Sequence, residues 1–274
     1  MKGNAKNKKE LLTIAVNSTS FFLLSYLIIY LLTQLAACIA ASNFEIPSIL
    51  YFNSIYYNII GSDWTSDAVK IVFSTGPLLA LFIGLILLII YSKIFQNNTL
   101  FKILILWGVF HAFNIFFSSL LVGTLLGTSL GHVLSWLYFQ DTAKMTISII
   151  ALFGAFGFGL ITAKPFIFSS NIYLNNYTEH NRKTFILGQL VIPLIIGNLI
   201  IYLLKLPNIS YFEIGTIISM FLMMLPVYLK YKSFQDYYFD EDEREIKIAK
   251  VWVIVTIILL ILSRIILGIG LRIN

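Results

Sequence analysis

One stretch of the sequence constrains the fold more than any other. Ile103 to Gln140 runs for 38 residues without a charged side chain. A helix that crosses the hydrocarbon core of a membrane once needs only ~20 apolar residues, so the stretch is too long for a single straight crossing. Soluble domains carry roughly 25% charged residues, whereas this chain carries 12%. The composition excludes a soluble fold and predicts a polytopic membrane protein.

Charge-free runs elsewhere in the chain predict the remaining crossings. The fold class we expect is an all-α transmembrane helix bundle in which the whole chain forms one integral membrane domain. The outer loop then covers residues 41–70 and the main cytoplasmic loop residues 230–250. Within the outer loop, the aromatic segment Ile49 to Tyr57 predicts a helix lying at the membrane surface. The seven predicted spans are residues 11–40, 71–92, 103–122, 146–163, 184–204, 214–229 and 251–270.

The distribution of Lys and Arg decides whether the long stretch crosses the membrane once or twice. With one crossing, 14 basic residues lie on the inner side and four on the outer side; with two crossings the tally is nine against nine. Cytoplasmic loops carry an excess of Lys and Arg, so one crossing is favoured, with the N-terminus cytoplasmic and the C-terminus outside. The residues after about Leu121 are then predicted to form a re-entrant or interfacial segment that ends in the aromatic string Trp136–Phe139.

Polar side chains inside the third span form the first candidate site. His111, Asn114 and Ser118 follow the spacing i, i+3, i+7 and therefore share one face of a helix. At ~1.5 Å per residue, His111 lies ~12 Å and Asn114 ~16 Å from the start of the span. An ionisable residue at this depth indicates a functional site. The simpler interpretation is a neutral histidine that hydrogen-bonds Asn114 or a neighbouring helix.

Two further candidates lie in the fifth and seventh spans. Pro193 interrupts the fifth span and frees a backbone carbonyl, with Gln189 and Asn198 nearby as hydrogen-bond partners; interrupted helices of this kind mark transport sites. In the seventh span, Arg264 is expected to extend its guanidinium to the outer surface. The alternative for Arg264 is an ion pair with one of the outer acids, which are Glu45, Asp63, Asp67 and Asp141.

Spaced glycines predict close contacts between helices, because small residues let two backbones approach. In the long stretch the string from Gly127 to Gly131 can instead break the helix. The predicted packing positions are Gly123, Gly127, Gly131, Gly154 and Gly157.

Several classes of site are missing from the sequence. It contains no phosphate-binding loop, metal-ligand set, paired carboxylates or nucleic-acid motif, so no catalytic residue, metal, cofactor or nucleic-acid partner is predicted. The lone Cys38 ends a string that resembles a bacterial lipobox, although small residues at a helix end explain it better. Two intramembrane protease patterns are incomplete: Ala112 and Ile115 replace the glutamate and second histidine of a zinc site, and Ser129 lacks an activating base.

Three functional hypotheses follow. The first is a non-catalytic subunit or scaffold of a larger bacterial inner-membrane complex, with protein partners in the bilayer and a possible docking site at the acidic run Asp240–Glu243. The second is a small-molecule or lipid transporter or binding protein, whose cavity His111, Asn114, Gln189 and Asn198 would line. The third is an intramembrane protease-like protein. Ion-coupled transport is disfavoured, because such transporters use intramembrane Asp or Glu and the sequence places none well inside a span.

Overall fold

The computed structural model describes residues 2–239 and 246–274, with side chains from residue 8 onward. Most of this part of the chain forms long helices, joined by short loops and a few two- or three-residue strands. The helices are α1 (Lys2–Ser42), α2 (Ser66–Lys93), α3 (Phe101–Leu126), α4 (Leu130–Trp136), α5 (Asp141–Phe168), α6 (Glu179–Ile186), α7 (Asn198–Lys205), α8 (Tyr211–Lys230) and α9 (Lys250–Ile269). The strands are β1 (Ser48–Leu50), β2 (Ile55–Tyr57), β3 (Asn176–Tyr177), β4 (Tyr237–Tyr238) and β5 (Leu271–Ile273).

Seven helical segments are long and apolar enough to cross a membrane, which confirms the all-α polytopic bundle. Most of the helices extend a few residues beyond the predicted apolar runs, and polar residues cap the starts of two of them. Thr65 accepts a hydrogen bond from the Ala68 N–H at the start of α2, and Ser210 and Glu213 form a reciprocal capping box at the start of α8. The crossing segments are residues 8–42, 66–93, 101–126, 141–172, 179–205, 211–230 and 250–269.

Helix α3 lies at the centre of the bundle. Its most apolar window is 72% buried, against 17% for the corresponding window of α9 at the periphery. Helix α3 is apolar on nearly all sides and contacts α1, α2, α5 and α8, as expected for a helix surrounded by protein. Trp107 and Phe110 on α3 are fully buried in the main core. The polar residues of the predicted third-span site are therefore presented to other helices.

The long uncharged stretch crosses once and then breaks. Gly127 adopts the left-handed conformation (φ 66°) and ends α3, and Ser129 also has a positive φ of 51°. The short helix α4 then packs against α3 and α2. A Cβ added to Gly131 would lie 1.9 Å from the Gly123 carbonyl oxygen, so only glycine permits this approach of the two backbones. At ~1.5 Å per residue, α4 is too short for a second crossing.

The prediction of a surface helix over Ile49 to Tyr57 is wrong. Strand β1 pairs antiparallel with β2 and also with β5 at the C-terminus, in the order β2-β1-β5. Isoleucine and tyrosine favour extended backbone, and β5 supplies a partner strand from the other end of the chain that no local pattern reveals. This sheet defines what we call the sheet end of the bundle, where α1, α3, α7 and α9 finish.

The opposite end, which we call the basic end, holds the second pair of strands. β3 pairs antiparallel with β4, so that Asn176 faces Tyr238 and Tyr177 faces Tyr237. These strands tie the loop after α5 to the segment after α8. The acidic run Asp240–Glu243, predicted to be part of a solvated loop or else a docking site, lies outside the described residues.

Candidate functional site

A cavity of about 420 Å³ lies between α1, α2, α3, α7, α8 and the β1–β2 turn, in the half of the bundle nearest the sheet end. Its volume falls in the range of sites that bind small molecules. The walls include apolar side chains such as Ile115, Ile201, Ile217 and Met220. The polar residues that line it include His111, Asn114, Ser118, Asn198, Lys205 and Glu213.

His111 joins α3 to α1. Its Nε2 lies 3.0 Å from the Phe22 carbonyl oxygen, and the ring packs edge-on against the Phe22 ring at a centroid distance of 4.4 Å. A carbonyl oxygen only accepts, so Nε2 carries the hydrogen and Nδ1 is left as an acceptor. This contact with a neighbouring helix is the arrangement that the simpler interpretation of a neutral histidine requires. His111 also lines the cavity.

Asn114 joins α3 to α8 in the same manner. Its Nδ2 donates to the Thr216 carbonyl oxygen at 3.0 Å. Its Oδ1 is buried and has no hydrogen-bond partner within the described residues. One turn further along α3, the Ser118 hydroxyl donates to the Ile115 carbonyl oxygen at 3.2 Å. The predicted i, i+3, i+7 face of α3 is thus directed to the cavity.

The fifth span is interrupted around Pro193, between α6 and α7. Two π-helical turns, Leu187–Val191 and Pro193–Gly197, replace regular α-helix. Pro193 has no N–H to offer the Gln189 carbonyl four residues earlier, and that oxygen accepts a hydrogen bond from the Ser18 hydroxyl at 2.8 Å. Asn198, at the start of α7, donates from Nδ2 to the Leu194 carbonyl at 2.7 Å and lines the cavity.

Gln189 does not join the other predicted site residues. Its side chain is fully buried, and both Nε2 and Oε1 have no partner in the part of the chain that the structure describes. It is absent from the cavity wall. The structure therefore brings His111, Asn114, Ser118 and Asn198 to one cavity and leaves Gln189 in the packed contact between the fifth span and α1.

Arg264 directs its guanidinium to the loops at the sheet end of the bundle. Its Nη2 donates to the Leu206 carbonyl at 3.2 Å, and its guanidinium carbon lies 3.4 Å from the centre of the Phe52 ring. Among the described residues none of the four outer acids pairs with it: Asp67 contacts Lys70, and Asp141 contacts Lys144. The arginine therefore fastens α9 to the β1–β2 turn and to the loop after α7.

A buried ion pair at the cavity escaped the sequence reasoning. Lys205 at the end of α7 pairs with Glu213 in the first turn of α8, and only 8% and 13% of their side chains are exposed. The Lys205 Nζ also lies 4.4 Å from the centre of the Tyr30 ring. The sequence does contain a signal for this pair. A lysine ends one apolar run, a short loop follows, and a glutamate eight residues after the lysine begins the next run.

Ser129 lines the cavity, whereas His132 lies outside its wall. Ser129 donates to the Ser119 hydroxyl at 3.1 Å, and no imidazole hydrogen-bonds it in residues 2–239 and 246–274. His132 on α4 packs against the Phe73 ring at 4.8 Å, and burial lowers the pKa of its imidazole. The described residues also contain no cluster of His, Cys, Asp or Glu suited to a metal ion.

The predicted packing glycines have four different environments. Gly123 and Gly131 meet each other where α4 folds onto α3, and Gly127 is the left-handed residue that ends α3. Gly154 on α5 packs under the Phe117 ring, where an added Cβ would lie 2.8 Å from a ring carbon. Gly157 has open space around the position of a Cβ, with nothing within 4 Å.

This chain matches no protein-family model, and no curated protein or solved structure is significantly similar to it. The cavity and the groups that line it are therefore the basis for assigning a function.

Proposed function

We propose that this protein binds a small or lipid-like molecule in the cavity at the sheet end, as a binding or transport protein. The observation that carries the proposal is the cavity itself, about 420 Å³ in volume and lined by His111, Asn114, Asn198 and the Lys205–Glu213 pair. Helix bundles in membranes are held together by close packing. A cavity of this size with polar groups among apolar walls is the kind of site that orients and holds a small molecule.

The charges that line the cavity support a binding role over an ion-coupled one. Glu213 is the carboxylate in the wall, and its charge is offset by Lys205. A group that is already paired is a poor carrier for a transported proton or cation. The site is therefore suited to uptake and release of a ligand without a coupled ion.

Filling the cavity from one side tests this function. Ile115 on α3 lines the cavity, whereas its neighbour Phe116 does not, and both are half-buried. Ile115→Trp should occlude the cavity, and Phe116→Trp adds comparable bulk outside it. The protein and both variants are purified from the native membrane in mild detergent, and solvent extracts are compared by mass spectrometry.

The expected result is a compound that accompanies the parent protein and Phe116→Trp in near-equal amounts with the protein, and that is depleted from Ile115→Trp. Extracts that do not differ among the three proteins would contradict a ligand in this cavity.

A second candidate function, a subunit or scaffold of a membrane complex, is favoured by the surroundings of Gly157. Ile150, Phe153 and Ile161 are 65%, 69% and 77% exposed and share the Gly157 face of α5 by their spacing. Lipid satisfies such a face, and a small residue at its centre also lets a partner helix approach closely. A mild-detergent pull-down tests it: a stoichiometric partner should be lost from Gly157→Leu, and purification of the parent as a lone chain would contradict it.

We further propose that the protein lies in a bacterial inner membrane, with the N-terminus cytoplasmic and the sheet end outside. The excess of Lys and Arg at the basic end supports this orientation. Tyr138, 93% exposed and just after α4, supports an interfacial position for residues 127–139. With Cys38 replaced by alanine, Ser62→Cys should react with an impermeant maleimide on intact cells, and Lys232→Cys only after permeabilisation; the reverse pattern would invert the topology.

A further inference from the structure

Resting on the proposed binding function, we infer the chemical class of the ligand. It is an uncharged molecule with an apolar body that presents N–H or O–H donors to His111, Asn114 and Asn198. The inference comes from the hydrogen bonds that a set of polar side chains on the cavity wall donate. His111, Asn114, Ser118 and Asn198 each donate to a backbone carbonyl and leave an acceptor over.

Three side chains from two spans show the same pattern. His111 Nε2 donates to the Phe22 carbonyl at 3.0 Å, Asn114 Nδ2 to the Thr216 carbonyl at 3.0 Å, and Asn198 Nδ2 to the Leu194 carbonyl at 2.7 Å. These contacts fix the imidazole tautomer and both amide orientations, because the opposite assignment would set an acceptor against a carbonyl oxygen.

The groups left over are acceptors. The Asn114 Oδ1 is buried without a donor, and no hydrogen bond from the described residues reaches His111 Nδ1 or Asn198 Oδ1. The Ser118 hydroxyl likewise donates to the Ile115 carbonyl and keeps its lone pairs. A buried acceptor without a partner is costly. A ligand that supplies hydrogens to these four side chains removes that cost, whereas a ketone, ether or carboxylate oxygen placed against them would set acceptor against acceptor.

The charged residues of the cavity wall argue against an ionic ligand. Lys205 and Glu213 compensate each other, so a charged guest would lose its hydration without gaining a free counter-ion. Between the acceptors, the wall consists of side chains such as Ile201, Ile217 and Met220, which suit an apolar body. An alcohol, phenol or amide on a hydrocarbon frame satisfies both requirements.

A matched pair of probes tests the inference. 4-Hexylphenol and 4-hexylanisole have the same body, but only the phenol has a donor. Their binding to the full chain in lipid nanodiscs is measured by equilibrium titration, with partition into empty nanodiscs subtracted. The phenol should bind about tenfold more tightly than the anisole, the preference expected of roughly one or two net hydrogen bonds.

The variants identify the residues responsible. Asn114→Leu and His111→Phe should each reduce the phenol preference several-fold, and their residual binding of the anisole shows that the variants are folded. Gln189→Leu is the matched control, since Gln189 is a buried amide with unpartnered atoms but lies outside the cavity wall. It should keep the full preference.

The outcomes separate this inference from the function on which it rests. Equal affinities for the two probes, both abolished by Ile115→Trp, would overturn the donor class and support the binding function. A preference that persists in Asn114→Leu and His111→Phe, or tighter binding of the anisole, would also overturn the inference. Binding of neither probe would overturn the donor class, and the solvent-extraction experiment would then decide the binding function separately.

Discussion

Two buried polar regions of this bundle are built in opposite ways. At the basic end, Lys102 is fully buried at the start of α3, and its Nζ donates to the Phe95 and Asn97 carbonyls and to Asn171 Oδ1 at 2.6, 3.3 and 2.8 Å. All three ammonium hydrogens therefore have partners within the chain. In the cavity at the sheet end, Asn114 Oδ1 has no partner among the residues that the structure describes.

The difference distinguishes a structural polar group from a candidate binding group. Lys102 also lies among aromatic rings, with the Phe168 centroid 5.4 Å from Nζ. Asn114 lies on the wall of open space. A buried polar group whose hydrogen bonds are all made within the chain stabilises the fold. A buried polar group that lacks a hydrogen-bond partner and lies beside a cavity is available to bind a ligand. The predictions below test that distinction.

The largest effect on stability is expected from breaking the ion pair at the cavity. Lys205→Met leaves the Glu213 carboxylate buried without its partner, which costs roughly 3 kcal/mol. The double variant Lys205→Met with Glu213→Gln removes both charges and should recover much of the loss. Thermal unfolding in detergent, followed through the intrinsic fluorescence, measures both. Equal loss in the single and double variants would show that the charge itself is unimportant.

A smaller but clear loss of stability is expected when Lys102 at the basic end is replaced. Lys102→Met leaves the Asn171 Oδ1 and the Phe95 carbonyl without their donor, at a cost of about 2 kcal/mol. Lys93→Met is the control, because Lys93 is an exposed lysine at the end of α2, on the same connection. A thermal-unfolding midpoint that falls equally in both variants would contradict the structural role given to Lys102.

The smallest effect on stability is expected at Asn114 on the cavity wall. Asn114→Leu loses the hydrogen bond to the Thr216 carbonyl but also removes a buried acceptor that has no partner, so the net change should stay within about 1 kcal/mol. Ligand binding should nevertheless weaken. A loss of stability as large as that of Lys102→Met would place Asn114 among the structural groups and remove the contrast between the two regions.

The spans could be predicted from the sequence because hydrophobicity over ~20 residues is a local property. His111 and Asn114 could be found for the same reason, as polar residues at depth in an apolar run. Lys102 could not, since its burial depends on Asn171, which the turn after α5 brings to it. The three-stranded sheet was missed because β1 pairs with β5 from the far end of the chain.

Gln189 shows a different limit of sequence reasoning. Its place near Asn198 in the sequence suggested a shared site, but two π-helical turns lie in this part of the span. A π-turn changes the angle between successive side chains, so α-helical periodicity no longer tells which residues share a face. Only the packed structure separates Gln189, in the contact with α1, from Asn198 on the cavity wall.

The most direct test of the central claim is native mass spectrometry of the intact protein released from lipid nanodiscs. If the cavity holds a ligand, the parent protein and Phe116→Trp should each carry one discrete added mass, and Ile115→Trp should appear at the mass of the bare chain. The same spectrum for all three proteins, with or without added mass, would contradict a ligand-binding site in the cavity.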